Sequence, residues 1–330
     1  MYKKKILLSA YAVKPFSGSE PGVGWFFFSS LSKDDQLDIY LITESEFKDQ
    51  IIEESKNLNF DITKIFFVDI GEKARKKYWN QGDWSFYFYY DNWQKQVLKL
   101  AEKLQEKIDF DIIHHVNSIG FREPGYLWKI DKPKFFLGPL GGYGNANLKL
   151  LKKNYSLKVL MIEFIKKLLN EVSFFLPKVI NAINKADKIF CAYPEILTKI
   201  RRIKKNGDIS LLSENWNVLQ NAAMSELLSE KQEKKIVFIG KNVPRKNLRF
   251  AINCFKKIKA VDYKMEIYGD DLLNDAPKYQ NQNILFMGQT KKKDVLKAIS
   301  SASLMLFPTL HDANPTVVTE ALALGTRILT

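Results

Sequence analysis

Short apolar runs typical of β-strands alternate with helical stretches along all 330 residues of the chain. A first series lies at residues 5–12, 37–43, 64–70, 111–117, 133–139, 188–193 and 208–214. A second series lies at residues 234–240, 264–270, 283–289, 303–309 and 326–330. Strands that alternate with helices predict parallel sheets covered on both faces. Two such series predict an α/β chain of two doubly wound, Rossmann-like domains that face a cleft.

The junction between the two domains is predicted where hydrophobic periodicity breaks. Polarity rises in NAAMSELLSEKQEKK, residues 221–235, between the two series of strands. The sequence therefore predicts a first domain over residues 1–225 and a second over residues 226–330. The chain is long enough for each domain to have its own core.

The chain is strongly basic, with 51 Lys and Arg against 37 Asp and Glu and a net charge of +14. Such an excess of positive charge is typical of a protein that binds nucleic acid, an anionic membrane or an anionic substrate. It is also found where all proteins of a proteome are rich in lysine. No nucleic-acid-binding module is recognisable, so we expect no nucleic acid partner. Two cysteines far apart indicate neither a disulfide framework nor a metal site, and we expect a cytoplasmic location.

Two glycine-dense turns follow strands of the first series. GSEPGVGW, residues 18–25, comes after the first strand and before the helical run WFFFSSLS, and GPLGGYGNAN, residues 138–147, follows the fifth strand. A glycine-rich turn before a helix lets a ligand approach the backbone and points free N–H groups at an anion. A tight turn that needs positive φ angles is the alternative interpretation.

Polar residues follow the fourth strand, where His114 and His115 precede SIGFREPGYLW with Arg122 and Glu123. Adjacent residues of a strand point to opposite faces, so at most one of the two histidines reaches the cleft. The alternative for either histidine is an ordinary satisfied residue of the core or the surface.

In the second half, three cations crowd the turn after KKIVFIG: Lys241, Arg245 and Lys246. Positive charge beside a helix N-terminus is suited to a diphosphate, although a solvated basic turn has the same composition.

The last loop and helix, HDANPTVVTEALALGTRIL, carry two carboxylates. Asn314 is expected to cap the helix, Pro315 to lie in its first turn and Gly325 to end it. The backbone N–H groups of Thr316 and Val317 would then face a phosphate. Asp312, in the loop, is suited to accept hydrogen bonds from a sugar, and Glu320, in the helix, from vicinal ribose hydroxyls.

Four segments in order resemble a known family. GSEPGVGW, DIIHHVN with FREPGYLW and FLGPLGG, FIGKNVPRKNLRFAI, and PTLHDANPTVVTEALALGTRIL are similar to elements of GT-B glycosyltransferases of the family 4, group 1 type. The resemblance implies a retaining hexosyltransferase of surface polysaccharide synthesis. Its partners would be a UDP- or GDP-sugar donor and a glycan or lipid-linked acceptor, and it implies no metal and no cofactor.

The resemblance also implies roles for individual residues. The implied catalytic residues are His115, with His114 as its alternative, Lys246 and Asp312. The implied donor-binding residues are Gly22, Gly24, Lys241, Arg245, Thr316, Val317 and Glu320. The implied acceptor-side residues are Glu20, His114, Arg122, Gly141 and Gly142.

The chain departs from the family pattern in two places. Asp312 stands where the family often has Glu, and the sequence ends at TRILT, where chains of the family continue. The resemblance therefore implies a C-terminally truncated second domain. A catalytically inactive paralogue that only binds nucleotide or a partner, a nucleotide-sugar epimerase and a phosphorylase remain alternatives.

A basic amphipathic stretch at residues 148–183 interleaves lysines with apolar residues. Such a stretch is typical of a helix on an anionic membrane, and also of helices packed on a sheet with a lysine-rich outer face. Under the first interpretation we expect the chain to bind the inner membrane face peripherally and in a salt-sensitive way. Under the second we expect no binding to the membrane.

Overall fold

The computed structural model of the chain describes residues 2–17, 19–78, 85–116, 120–213, 227–258, 262–269, 279, 281–312 and 315–330. Contacts divide the chain into two compact units. Unit 1 comprises Met1–Tyr143 and Glu171–Asn217, and unit 2 comprises Gly144–Asn170 and Val218–Thr330. The predicted domain boundary between residues 225 and 226 lies outside the described residues.

A seven-stranded parallel sheet forms the centre of unit 1, in the order β3-β2-β1-β4-β5-β6-β7. Its strands are β1 (Lys4–Ser9), β2 (Leu37–Thr43), β3 (Ile65–Phe67), β4 (Ile112–His115), β5 (Lys134–Leu140), β6 (Lys188–Cys191) and β7 (Asp208–Leu211). The strands are short, apolar and buried in the middle because helices cover both faces of a parallel sheet.

Eight helices are described between these strands. They are α1 (Ser19–Leu31), α2 (Lys48–Asn57), α3 (Glu72–Tyr78), α4 (Phe86–Ile108), α5 (Leu148–Leu151), α6 (Leu157–Ser173), α7 (Pro177–Lys185) and α8 (Pro194–Ile203). Of these, α5 and α6 as far as Asn170 group with unit 2 by their contacts.

The long helix α4 packs on unit 1 through an apolar face that the sequence spaces by three and four residues. Tyr90, Trp93, Val97, Ala101 and Leu104 are buried on this face. The Trp93 indole N–H donates to the Val68 carbonyl at 2.9 Å, so the ring is both buried and hydrogen-bonded. The ring of Tyr11, which follows β1, packs edge-on against Tyr90 and Trp93, so the first turns of α4 lie beside the carboxyl end of β1.

A five-stranded parallel sheet forms the centre of unit 2, in the order β10-β9-β8-β11-β12. Its strands are β8 (Gln232–Ile239), β9 (Lys264–Tyr268), β10 (Ile284–Gly288), β11 (Ala302–Leu306) and β12 (Arg327–Leu329). Its described helices are α9 (Leu248–Phe255), α10 (Lys292–Ser301) and α11 (Thr316–Ala323), with a 3-10 turn at Pro244–Lys246.

The predicted strands are confirmed, since each of the twelve apolar runs contains a strand of one of the two sheets. The start of the first helix was predicted wrongly. It begins at Ser19, so that Gly22 and Gly24 lie within α1 and not in the turn before it. Gly325 follows the end of α11, as predicted, and its φ is +66°. Pro315 was predicted wrongly, since it is the extended residue just before the helix and not part of its first turn. The expected cap residue Asn314 lies outside the described residues.

Glycines follow the carboxyl ends of neighbouring strands of unit 2. The Gly240 N–H donates to the Tyr268 carbonyl at 2.9 Å, and the Gly269 N–H donates to the Gly288 carbonyl at 3.0 Å. A Cβ atom on Gly269, whose φ is +150°, would overlap the carbonyl oxygen of Gly240. Position 269 therefore requires glycine for the two backbones to approach this closely.

We expect Gly269→Ala to destabilise the protein by about 1–3 kcal/mol, because backbone must shift to admit the methyl group. Thermal and urea unfolding measure the loss. Gly325→Ala is the matched control in the same unit, since its φ is also positive but a Cβ there meets nothing within 4 Å. An equal effect of the two substitutions would show that φ strain alone, and not the close approach, is responsible.

Candidate functional site

The order of the strands in unit 1 places its switch point between β1 and β4, where connections leave in opposite directions. Ser9 of β1 is the register partner of His115 of β4, so both strands end at the same level. Ligands of doubly wound sheets bind beyond the carboxyl ends of the strands at such a point. The segments that follow β1 and β4 are therefore candidates for a ligand site.

His115 is the last residue of β4, and it is almost completely buried. Neither ring nitrogen has a hydrogen-bond partner among the described residues. Burial, together with the nearby His114 and Lys178, lowers the pKa of His115 to about 3, so the ring is neutral at physiological pH. A Cβ atom on Gly125 would lie 3.3 Å from His115 Cε1, which shows how closely the REPGYLW backbone covers the ring.

His114 faces the opposite side and packs in the core. Its ring lies 5.7 Å from that of Phe27 and 5.6 Å from that of Phe190, and its Nε2 is 2.7 Å from the Gly138 carbonyl oxygen. Burial lowers the pKa of His114 to about 4, against the effect of that hydrogen bond. Of the two histidines, His114 has the position of a satisfied core residue, and its predicted acceptor-side role stays a prediction.

A charged cluster lies next to His115. Lys178 Nζ lies 2.7 Å from a Glu123 carboxylate oxygen and 3.1 Å from an Asp91 carboxylate oxygen, and it sits over the Tyr126 ring. The Tyr126 hydroxyl donates to Asp91 at 2.5 Å. Burial raises the pKa of Asp91, but hydrogen bonds from Lys95, Tyr126 and Lys178 outweigh it and hold the pKa at about 2. The cluster fixes the segment that covers His115.

The loops after β4 and β5 meet each other. The Phe121 N–H donates to the Gly141 carbonyl at 3.1 Å, and Gly142 follows with φ +76°. Arg122 lies next in the chain, with its guanidinium 6.0 Å from the Phe121 ring centre. Three of the predicted acceptor-side residues, Arg122, Gly141 and Gly142, are thus brought together in unit 1. Glu20 lies elsewhere, in the first turn of α1.

The switch point of unit 2 lies between β8 and β11, and the predicted cations and the first carboxylate meet there. Lys246 forms an ion pair with Asp312, and Arg245 Nη1 lies 3.4 Å from the other carboxylate oxygen of Asp312. The Leu310 N–H donates to the Arg245 carbonyl at 2.8 Å, which ties the turn after β8 to the loop after β11. Lys241 lies at the start of the same turn, directly after Gly240.

Lys246 is only 13% exposed and lies 5.1 Å from the Phe307 ring centre. Burial lowers the pKa of Lys246, and the Asp312 carboxylate opposes that effect. A cation that has lost most of its water and has one carboxylate partner retains donors for a second anion.

Glu320 is buried in α11, three residues after Val317 and four after Thr316, which occupy the first turn of the helix. One carboxylate oxygen forms an ion pair with Lys292, and the other has no hydrogen-bond partner among the described residues. A buried, unsatisfied carboxylate oxygen is an acceptor that a ligand hydroxyl can complete.

Gly144, which groups with unit 2, packs against the loop after β11 in the same unit. A Cβ atom on Gly144 would overlap the His311 ring, and the Asn170 amide donates to the Gly144 carbonyl at 3.3 Å. Gly144 therefore packs directly against the residue that precedes Asp312.

Sequence reasoning missed Lys292, the partner of Glu320. A signal for it exists, since Lys291, Lys292 and Lys293 stand at the start of α10, where the helix dipole disfavours positive charge. It also missed Lys178, Asp91 and Gly125, which fix the surroundings of His115. These come from separate elements, and no spacing in the sequence joins them.

The described part of the chain contains no group of three or more His, Cys, Asp or Glu side chains arranged to hold a metal ion. It also contains no helix with the length and apolar content needed to cross a bilayer.

The chain was compared with known proteins. Residues 220–330, which contain the whole five-stranded sheet, match the family model described as glycosyl transferases group 1. None of the curated proteins matches the chain.

Solved structures resemble the chain over nearly its whole length. Sucrose-phosphate synthase from Thermosynechococcus elongatus has a TM-score of 0.60 at 14% identity, over 99% of this chain and 80% of that one. The apo form of the lipopolysaccharide outer core galactosyltransferase WaaB has a TM-score of 0.57 at 14% identity, over 98% and 79%. Anabaena Alr3699/HepE with UDP and glucose has a TM-score of 0.54 at 10% identity, over 98% and 80%. These likenesses confirm the predicted GT-B fold. The family match over residues 220–330 supports glycosyl transfer.

The burial of both adjacent histidines leads to a prediction about pH. Their pKa values in the folded protein lie below the value of about 6.5 in the unfolded chain. The unfolded state therefore binds more protons below that pH, and stability falls as the pH is lowered from about 6.5 towards 4, by up to about 1.4 kcal/mol per pH unit for each ring. The chain has three histidines, so His311→Asn leaves only this pair for NMR.

We expect both remaining imidazoles of the His311→Asn variant to keep neutral-form chemical shifts from pH 8 to pH 5. Urea unfolding at pH 7 and pH 5 measures the accompanying loss of stability. A ring that titrates near pH 6.5 in the folded protein would contradict its buried placement.

Proposed function

We propose that the chain is a retaining glycosyltransferase that moves a hexose-type sugar from a nucleotide sugar to a glycan or lipid-linked acceptor. UDP- and GDP-sugars are the proposed donors, and surface polysaccharide synthesis is the proposed setting, at the inner face of a membrane. The family match over residues 220–330 supports glycosyl transfer. The Anabaena structure that holds UDP and glucose supports a nucleotide-sugar donor.

One observation carries the proposal: a largely buried lysine, its carboxylate partner and a helix that carries a second buried carboxylate follow the neighbouring strands β8 and β11 of unit 2. Lys246 pairs with Asp312 there, and α11 carries Glu320 within its first two turns. A nucleotide sugar presents a diphosphate, a ribose and a sugar, and this set offers a suitable group to each. The diphosphate binds the cation and the helix N-terminus, the ribose hydroxyls donate to Glu320, and the sugar hydroxyls donate to Asp312.

The chemical step that follows from this arrangement is departure of a nucleoside diphosphate. As the bond from the sugar to the phosphate breaks, negative charge grows on the leaving oxygen. Lys246, Arg245 and Lys241 stabilise that charge, and they do so best where water is excluded. The acceptor hydroxyl attacks from the face that the diphosphate leaves, so that the configuration of the sugar is retained.

His115 has the proposed role of facing the transferred sugar. Its ring is neutral and carries one donor and one acceptor nitrogen, both without partners among the described residues. A neutral imidazole can therefore hydrogen-bond a sugar hydroxyl without a charge of its own. Gly22 and Gly24 in α1 have proposed roles near the donor, and Glu20, His114, Arg122, Gly141 and Gly142 near the acceptor.

A donor screen tests the proposal. UDP-, GDP- and ADP-sugars are added to the purified chain, and thermal shift measures binding. We expect one base to be clearly preferred. Release of the nucleoside diphosphate, with and without an added acceptor, then separates transfer from hydrolysis and from epimerisation. Binding without any turnover would support the inactive paralogue.

Glu320→Gln is expected to weaken donor binding by about 1.5–3 kcal/mol, since an amide cannot accept from both ribose hydroxyls. That loss corresponds to a rise of about 10- to 150-fold in the dissociation constant, measured by calorimetry. Glu266→Gln is a matched control, because Glu266 also forms an ion pair with a lysine of unit 2, Lys235 at 2.9 Å. Unchanged affinity in Glu320→Gln would remove Glu320 from the site.

Lys246→Ala is expected to lower kcat by roughly 10²–10³-fold and to change KM much less, because charge on the diphosphate grows in the transition state. Steady-state kinetics with the preferred donor measures both constants. Lys235→Ala is the control, since Lys235 is equally buried, at 13% exposure, and is also ion-paired. If KM rises while kcat stays intact, Lys246 is a binding residue only.

A further inference from the structure

The helix α6 turns an apolar face to solvent. Six apolar residues spaced by three and four lie on one side of it: Leu157, Met161, Phe164, Ile165, Leu168 and Val172. Each of the six is at least half exposed, from 50% for Ile165 to 75% for Leu157. We call these six residues the α6 apolar face. A contiguous exposed apolar surface marks an interaction site.

In α6 the exposed side is apolar and the buried side is polar, which is the reverse of a helix packed on a sheet. The inward side carries polar residues, with Asn170 at 5% and Ser173 at 8% exposure. The Asn170 amide donates to the Asn145 side chain at 3.1 Å. Globular helices bury the apolar side and expose the polar side. Phe175 and Leu176, directly after the helix, are exposed too and extend the apolar surface.

The surface around this face is positively charged. Residues 148–178 contain seven lysines and two glutamates. Glu163 lies 2.8 Å from Lys166, and Glu171 pairs with Lys199 and accepts from the Tyr143 hydroxyl at 2.6 Å. Both carboxylates are thus engaged.

Five lysines of this stretch are exposed and have no ion pair with any described residue: Lys149, Lys152, Lys153, Lys158 and Lys167. Lys158 and Lys167 lie on α6 beside its apolar face, and Lys149, Lys152 and Lys153 lie in the segment that precedes the helix.

We propose that α6 lies in the plane of an anionic bilayer, with the α6 apolar face inserted at the acyl boundary and the lysines at the headgroups. An apolar stripe bordered by lysines is the composition that such a surface takes. A second copy of the chain is a poor occupant, because two such faces bring their lysines together with no free acid to pair them. The proposal rests on the proposed function in one respect only: a lipid-linked acceptor is what would require the chain to bind a membrane.

This attachment differs from the purely electrostatic one that the lysine pattern of the sequence suggests. Salt shortens the reach of exposed charges from about 10 Å at 0.1 M to about 3 Å at 1 M. Burial of apolar side chains does not depend on such screening. An inserted face therefore predicts binding that prefers anionic lipid at low salt and persists in part at high salt.

Vesicle co-sedimentation tests the proposal with the whole chain. We expect binding to phosphatidylcholine vesicles that contain phosphatidylglycerol, weaker binding to phosphatidylcholine alone, and partial retention at about 1 M salt. Phe164→Gln with Leu168→Gln should weaken binding by roughly tenfold or more, since both side chains are exposed and the fold does not need them. Phe88→Gln is the control, because Phe88 is 79% exposed on α4.

An environment-sensitive probe reports insertion directly. Cys254 is exposed and Cys191 is buried, so Cys254→Ser removes the accessible thiol. In that background, the fluorophore NBD is attached to Leu168→Cys and, as the control, to Phe88→Cys. We expect a blue shift with anionic vesicles at position 168 and no shift at position 88.

Several results would overturn the proposal. One is vesicle binding that salt abolishes while the probe at 168 does not shift, which would mean electrostatic attachment only. Another is a blue shift at 168 without vesicles together with a dimeric mass in solution, which would make the face a contact between copies. Absence of binding to either vesicle type would also overturn it. Donor thermal shifts and turnover with a soluble acceptor are read separately, so the proposed function stands or fails on its own.

Discussion

The chain depends on one geometric constraint, the parallel direction of the strands in its two sheets. Two parallel strands must be joined by a connection that crosses one face of the sheet. Each such connection begins at the carboxyl end of one strand and ends at the amino end of the next. The carboxyl ends of all strands of a sheet therefore lie together. Lys246 and Asp312 are 66 residues apart in sequence and still form an ion pair, because β8 and β11 are neighbours. The sheet collects side chains that the sequence keeps apart.

The charges collected in this way are only partly neutralised. Lys246 is paired with Asp312, and Glu320 with Lys292, yet each pair retains a donor or an acceptor that its partner does not use. Taking a charge out of water is costly unless its hydrogen bonds are completed. In the free protein each ion pair limits that cost, and the proposed nucleotide sugar would complete the remaining bonds. The pairs thus hold the side chains in place before a ligand arrives.

The sequence predicts the two sheets well and the site in part. Apolar runs bounded by turn residues are a strong local signal, and each of the twelve contains a strand. The start of α1 is different, because glycines and a proline suggest a turn while the fold places them in a helix, an override of local propensity by tertiary structure. The alternation of side chains in a strand shows that His114 and His115 differ, but only the structure tells which of them is enclosed by Phe27 and Phe190. The periodicity of α6 likewise reveals two faces and does not say which one is outward.

The contact between Gly144 and His311 has a consequence for reading genetic variation. Gly144 offers no charge or hydrogen-bonding side chain, so a variant there would be classed as remote from chemistry. Any side chain at that position would overlap the His311 ring and force it to move, and His311 directly precedes Asp312, the partner of Lys246. A substitution of Gly144 that lowers activity without unfolding the protein would then have the same phenotype as loss of a charged group. Glycine positions that support a functional loop belong among the positions screened for inactive alleles.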